Sequence, residues 1–103
     1  MIDVFFAELI GTFMFLAVII ISGHATLKYD TMGWLKIGLA LSVAILVFSK
    51  ISACFNPAVS FMLYLNKDIS AVQMCVGIFG QIIGAVLAYF YYRYLKKNYS
   101  SLL

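Results

Sequence analysis

The sequence predicts an all-α integral membrane protein with three transmembrane helices plus one re-entrant half-helix, completed by homo-oligomerisation. Three observations carry that prediction. The first is composition: of 103 residues, 65% are hydrophobic and 11% charged, with a mean hydropathy of +1.06. A soluble domain of this size cannot hide so much apolar side chain, so the bilayer is the expected solvent. The second is punctuation: three long apolar runs are separated by polar corners. The third is a helix breaker and an amide, Asn56-Pro57, set between apolar stretches. The whole of residues 1–103 reads as one membrane domain.

The first span covers about residues 4–22, long enough to cross roughly 30 Å of hydrocarbon with little tilt. Glu8 interrupts it. A carboxylate inside a span usually faces a partner or a wet cavity. Gly11 and Thr12 follow at i+3 and i+4 and share its face, which is therefore small and polar and suited to close helix packing. The alternative places Glu8 at the interface, a few residues inside the span. Asp3 and Glu8 stand where a cleavable signal peptide would carry a basic region, so the span is expected to act as its own insertion signal.

Ser22 to Met32 is polar and turn-rich, with Gly23, His24, Lys28 and Asp30, and reads as an extramembrane loop in which His24 is solvated. Trp34 stands where an interfacial anchor belongs. The second span covers about residues 34–49, and Gly38, Ala40, Ser42 and Ala44 offer it small residues for close packing.

The next stretch, about residues 51–65, is predicted to dip into the membrane and return. Asn56 is a strong N-cap residue, and Pro57 suits the first helical position, where no N–H is needed. A helix from Pro57 to Leu65 is only about 13 Å long, half a bilayer. Lys50 and the Asn66-Lys67-Asp68 corner flank it, so the chain enters and leaves on one side. The positive end of the half-helix then lies near the midplane, where it attracts water or a small polar solute and repels cations. An ordinary Asn-Pro turn between two spans is the plainer reading.

The third span covers about residues 70–93, with Ser70 as a cap. Gln81 lies near its middle and calls for a hydrogen-bond partner. Gly77, Gly80 and Gly84 share one face. Tyr89, Tyr91, Tyr92 and Tyr94, then Arg93, Lys96 and Lys97, mark the far interface, and the last residues read as a frayed tail.

Other function classes find no footing. The net charge of +3 is small and dispersed, so nucleic acid is not an expected partner. Cys54 and Cys75 lack metal spacing and read as small buried residues. No cofactor, metal site, nucleophile–base pair or phosphate-binding glycine loop is expected, and an enzyme has no support.

Three segments resemble, in order and spacing, signatures of the aquaporin and glycerol-facilitator family: Ala7-Glu8-Leu9-Ile10-Gly11-Thr12, Ser52-Ala53-Cys54-Phe55-Asn56-Pro57-Ala58-Val59-Ser60, and Gln81-Ile82-Ile83-Gly84-Ala85. The resemblance covers nearly the whole chain but only one half of a usual member, which has two such halves inserted in opposite orientations. Val59 and Ser60 match the first half. The resemblance implies a passive channel for water or a small uncharged solute such as glycerol. Asn56, Pro57 and Ala58 form its pore motif, and Asn56 offers its amide N–H to the solute. Ala53, Cys54 and Phe55 present backbone carbonyls along the path, while Glu8 and Gln81 hold the loop. The alternative is a non-conducting assembly subunit or degenerate half-channel.

There are departures. Cys54 stands where many relatives have histidine, the second span is about one residue shorter, and the filter arginine of the second half is missing. Lys36 or Ile37 falls near the filter's aromatic position. Lys36 either supplies the filter's charge or snorkels to the interface beside Trp34. Half a pore calls for more copies, so the expected partners are the lipid bilayer and a second copy in an antiparallel homodimer, grouped in turn into a higher ring. Lys28, Lys36, Arg93, Lys96 and Lys97 lie on one side, Lys50 and Lys67 on the other, a moderate bias toward a cytoplasmic C-terminus.

Overall fold

The structure is a computed structural model that describes residues 1–22 and 32–100. Four helices follow in order: α1 (Ile2–Ser22), α2 (Gly33–Phe48), α3 (Pro57–Leu65) and α4 (Ala71–Tyr99). The long axis is 46 Å, close to the thickness of a bilayer with its headgroups. Of the four, α1 and α4 are long and apolar enough to cross a membrane, while α2, at 16 residues, is shorter. His24, Lys28 and Asp30 lie outside the described residues, and Ser22 still belongs to α1.

Helix boundaries follow local chemistry. Ser70 caps α4, its hydroxyl accepting from the Gln73 N–H at 3.1 Å, so the helix begins one residue later than the span expected from sequence. At the other end α4 continues past residue 93 to Tyr99. Nothing in Arg93–Tyr99 breaks a helix, and Lys96 and Lys97 complement the negative end of its dipole. Of the expected frayed tail, Asn98 and Tyr99 are helical, and residues 101–103 lie outside the described residues.

The two long helices run parallel and in register. The Gly80 Cα abuts the Phe5 carbonyl and the Gly84 Cα the Leu9 carbonyl. The Phe5 ring lies 5.6 Å from Phe79, and Phe13 lies 5.9 Å from Tyr91. On the other side of α1 packs α2, while α3 leans on α4. Apart from Val4, what α1 and α4 bury is small or polar, including Ala7, Gly11, Thr12, Gly77, Gly80, Gly84 and Ala88. Large apolar side chains such as Ile2, Leu46, Phe79 and Phe90 face outward. Water would penalise that arrangement. In lipid, close backbone approach through small residues is what drives helices together.

Two sequence expectations change here. In α2 only Ala44 and Gly33 are buried, while Gly38 has open space beside it and Ser42 is exposed, turning its hydroxyl back onto the Gly38 carbonyl at 2.8 Å. Small size alone therefore did not mark the packed face. Neither cysteine is fully buried: Cys54 is half-buried and Cys75 is exposed on α4.

The end of α3 carries a cost. The Asp68 N–H donates to the Leu63 carbonyl at 2.9 Å, and the Lys67 N–H donates to Tyr64 at 3.0 Å. This double closure requires left-handed backbone at Lys67, whose φ is 65°. Glycine adopts that conformation without the Cβ penalty, so Lys67→Gly is expected to stabilise the fold by about 1 kcal/mol. Thermal unfolding in detergent checks this, with Lys67→Ala as a control that should bring no gain.

Candidate functional site

The site begins with a carboxylate that has no exposed surface. Glu8, on the α1 face turned toward α4, is 0% exposed. Its Oε1 accepts from the Phe55 N–H at 2.7 Å and from Gln81 Nε2 at 3.1 Å. Its Oε2 accepts from the Cys54 N–H at 2.9 Å and from the Ser52 hydroxyl. Gln81 Nε2 also donates to Ser60 Oγ at 2.9 Å, which ties α4 to α3. One acceptor thus gathers donors from the loop and from α4, and Glu8 is enclosed by protein groups. The non-helical backbone of residues 53–56 is held by protein groups.

Two buried polar atoms have no partner among the described residues, Thr12 Oγ1 and Gln81 Oε1. The second follows from the first-named bonds. Turning the Gln81 amide over would set its oxygen against the Glu8 carboxylate and forfeit both donor contacts.

The loop's turn is made at Phe55, whose φ is 55°. A bulky residue rarely adopts this backbone, and here packing holds it. The Phe55 ring is buried, lying edge-on to Phe48 of α2 at 6.3 Å and directly over Gly11. A Cβ built at Gly11 would stand 2.0 Å from the ring, so only glycine leaves room for it. The face of Glu8, Gly11 and Thr12 is thereby explained residue by residue: acceptor, seat for the ring, and contact with Gly84.

After Phe55 the chain starts α3. Asn56 is its N-cap in extended conformation, and its Oδ1 accepts from the Ala58 N–H at 2.8 Å. Pro57 occupies the first helical position. Among the described residues no bond is made by Asn56 Nδ2, and the residue is exposed. Its two amide hydrogens therefore stand beside the positive end of the α3 dipole, the property needed to bind a neutral oxygen and disfavour a cation. Peptide geometry adds acceptors. In a planar trans peptide the C=O points opposite to the following N–H. Because the Cys54 and Phe55 N–H groups point to Glu8, the Ala53 and Cys54 carbonyls point away from it.

Lys36 and Ile37 are not brought to this group. They sit in the first turn of α2, and Phe48, which touches the loop, ends the same helix. Eleven residues separate Ile37 from Phe48, about 16 Å along the axis. Lys36 is exposed and Ile37 half-buried, near the exposed Trp34.

Sequence reasoning gave no role to Ser52 or Ser60. Ser60 had a signal: it is a small hydroxyl in an otherwise apolar half-helix, one turn after Asn56. Ser52 had none, being one of several serines near a polar corner.

The sequence model of the major intrinsic protein family matches residues 1–102. The chain belongs to this family. Its members are integral membrane channels, not enzymes. Among curated proteins it is 39% identical over 89 residues to a glycerol uptake facilitator protein-like 6 of Lactiplantibacillus plantarum. That match covers 82% of this chain and 39% of the relative, so the chain spans well under half the length of the protein it resembles. No solved structure matches it. In this major intrinsic protein chain the Glu8 network ties α1 and α4 to the loop that leads into α3.

Proposed function

We propose that this chain forms a passive channel for water or a small uncharged solute such as glycerol, built from two or more copies. Three helices, α1, α2 and α4, span the bilayer, and the loop with α3 enters and leaves on one side. The observation that carries the reading is the capped start of α3. Asn56 spends its oxygen on the Ala58 N–H and keeps its amide hydrogens available, while the Glu8 network holds that start in place. The carbonyls of Ala53 and Cys54 supply acceptors beside it. Lys36 and Ile37 are the candidates for a selectivity filter, at the far end of α2 from the loop.

Asn56→Asp tests the reading. The carboxylate keeps the capping oxygen, loses both N–H donors and puts negative charge beside the helix start. Reconstituted vesicles should show lower solute flux or a gain in cation leakage, with membrane insertion unchanged. Identical flux and identical cation exclusion would contradict the pore role of Asn56. Absence of any flux in the unmodified protein would favour the other reading, a non-conducting assembly subunit.

The conducting unit is an antiparallel homodimer, able to group into a higher ring. Three spans and one half-helix cannot seal a path, and an α3 tip facing lipid at the midplane is costly. A two-fold axis in the membrane plane brings two Asn56 tips together within six spans. Ser100→Cys, labelled from each side of sealed vesicles in a background without Cys54 and Cys75, decides the matter. Labelling from both sides supports dual insertion, and labelling from one side only rules out the antiparallel pore.

A further inference from the structure

The C-terminal turns of α4 form a cationic cleft that the proposed pore does not use. Arg93, Tyr94, Lys96 and Lys97 line an open surface groove of about 480 Å3. The three cations stand at i, i+3 and i+4, hence on one side of the helix. No acidic residue occurs anywhere in α4 to neutralise them. Arg93 is also positioned: its Nη1 donates to Tyr89 Oη at 2.9 Å, and its guanidinium carbon lies 5.8 Å from the Tyr89 ring centroid. Among the described residues one donor of the guanidinium is used, and the rest of its planar fork remains for an oxyanion.

Depth is given by the neighbouring helix. In the parallel register set by Gly80 on Phe5 and Gly84 on Leu9, the polar end of α1 at Ser22 comes level with about Lys97. Arg93 to Lys97 thus lie where the apolar run of α1 gives way to polar residues, the level of the lipid headgroups. Exposed Tyr89, Phe90 and Tyr91 continue below them as an apolar and aromatic surface suited to acyl chains. A phosphate at the height of the cations with chains along those rings satisfies both halves of this surface, which a free anion would not.

We propose that the Arg93–Lys96–Lys97 cleft binds the headgroup of an anionic phospholipid, one bound lipid per chain. The test uses the purified full chain. Retention of phosphatidylglycerol and of phosphatidylcholine is measured by native mass spectrometry after detergent exchange, and affinity by titration with phosphatidylglycerol. Preferential retention of one phosphatidylglycerol is expected. The variant Arg93→Gln/Lys96→Gln/Lys97→Gln should bind it about a hundredfold more weakly, since each basic residue near an anionic surface contributes roughly a factor of five. Lys50→Gln/Lys67→Gln, which removes charge at the other end, should bind normally. Arg93→Lys keeps the charge but loses the fork, and a severalfold loss is expected of it. These comparisons hold only between variants that melt with the unmodified protein, and Arg93→Lys supplies the reading if the triple variant does not fold. Equal retention of both lipids, equal weakening by the Lys50/Lys67 variant, or unaltered binding in Arg93→Lys would overturn the proposal. So would full displacement of the lipid by inorganic phosphate, which would show a plain anion site.

Discussion

Glu8→Ala is expected to destabilise the protein by about 2–5 kcal/mol and to abolish any solute flux. The lower figure takes four hydrogen bonds at the roughly 0.6 kcal/mol average measured inside membranes. The higher one reflects buried donors left without a partner, at about 1–3 kcal/mol each. The orphans would be the N–H groups of Cys54 and Phe55 and one hydrogen of the Gln81 amide, which keeps its bond to Ser60. Phe55 suffers doubly, because its left-handed backbone loses the bond that helps to hold it. Once it relaxes, Asn56 no longer starts α3 in a fixed place. Glu8→Gln keeps one acceptor but turns an NH2 group toward other donors, so an intermediate loss is expected. Thermal unfolding in detergent and light-scattering shrinkage of proteoliposomes read the two effects. A melting curve for Glu8→Ala that moves no further than that of Leu46→Ile, a change at a 79%-exposed position, would show that the network does not hold the fold.

Gly80→Ala and Gly84→Ala are expected to force α1 and α4 apart, each at about 1–3 kcal/mol. A Cβ at Gly80 would stand 2.6 Å from the Phe5 carbonyl oxygen, and one at Gly84 would stand 2.6 Å from that of Leu9. Both obstacles are backbone, so no side-chain rotation relieves them and a whole helix must shift. The shift would pass to the site, since Gln81 lies next to Gly80 and reaches both Glu8 and Ser60. Gly38→Ala is the control. Its Cβ would meet nothing, and alanine favours a helix by up to about 1 kcal/mol over glycine, so neutral or raised stability is expected. Similar melting temperatures for all three variants in detergent would contradict the packing described here.

The three glycines also show where sequence stops being sufficient. Gly77, Gly80 and Gly84 could be assigned to one face from spacing, because 3.6 residues per turn is a property of any helix. That the Gly80–Gly84 edge meets α1, whereas Gly38 meets nothing, depends on which helices become neighbours. The same holds at the loop. Glu8 and Gln81 each stood out as polar groups needing a partner in an apolar run. Their serine partners, Ser52 for Glu8 and Ser60 for Gln81, lie 44 and 21 residues away respectively along the chain.

What the sequence alone determined was local or compositional: a membrane chain, a helix capped by Asn56 with Pro57 in its first turn, a cap at Ser70, and membership of the major intrinsic protein family through three short signatures. Each rests on interactions within one turn of helix or on the solvent that the composition demands. Tertiary structure decided the rest. It set α1 and α4 parallel, turned Phe55 into left-handed backbone over Gly11, and buried Glu8 completely to accept from the loop. Those outcomes arise because a buried donor or acceptor must find a partner across space, and sequence separation says nothing about which partner packing will bring within 3 Å.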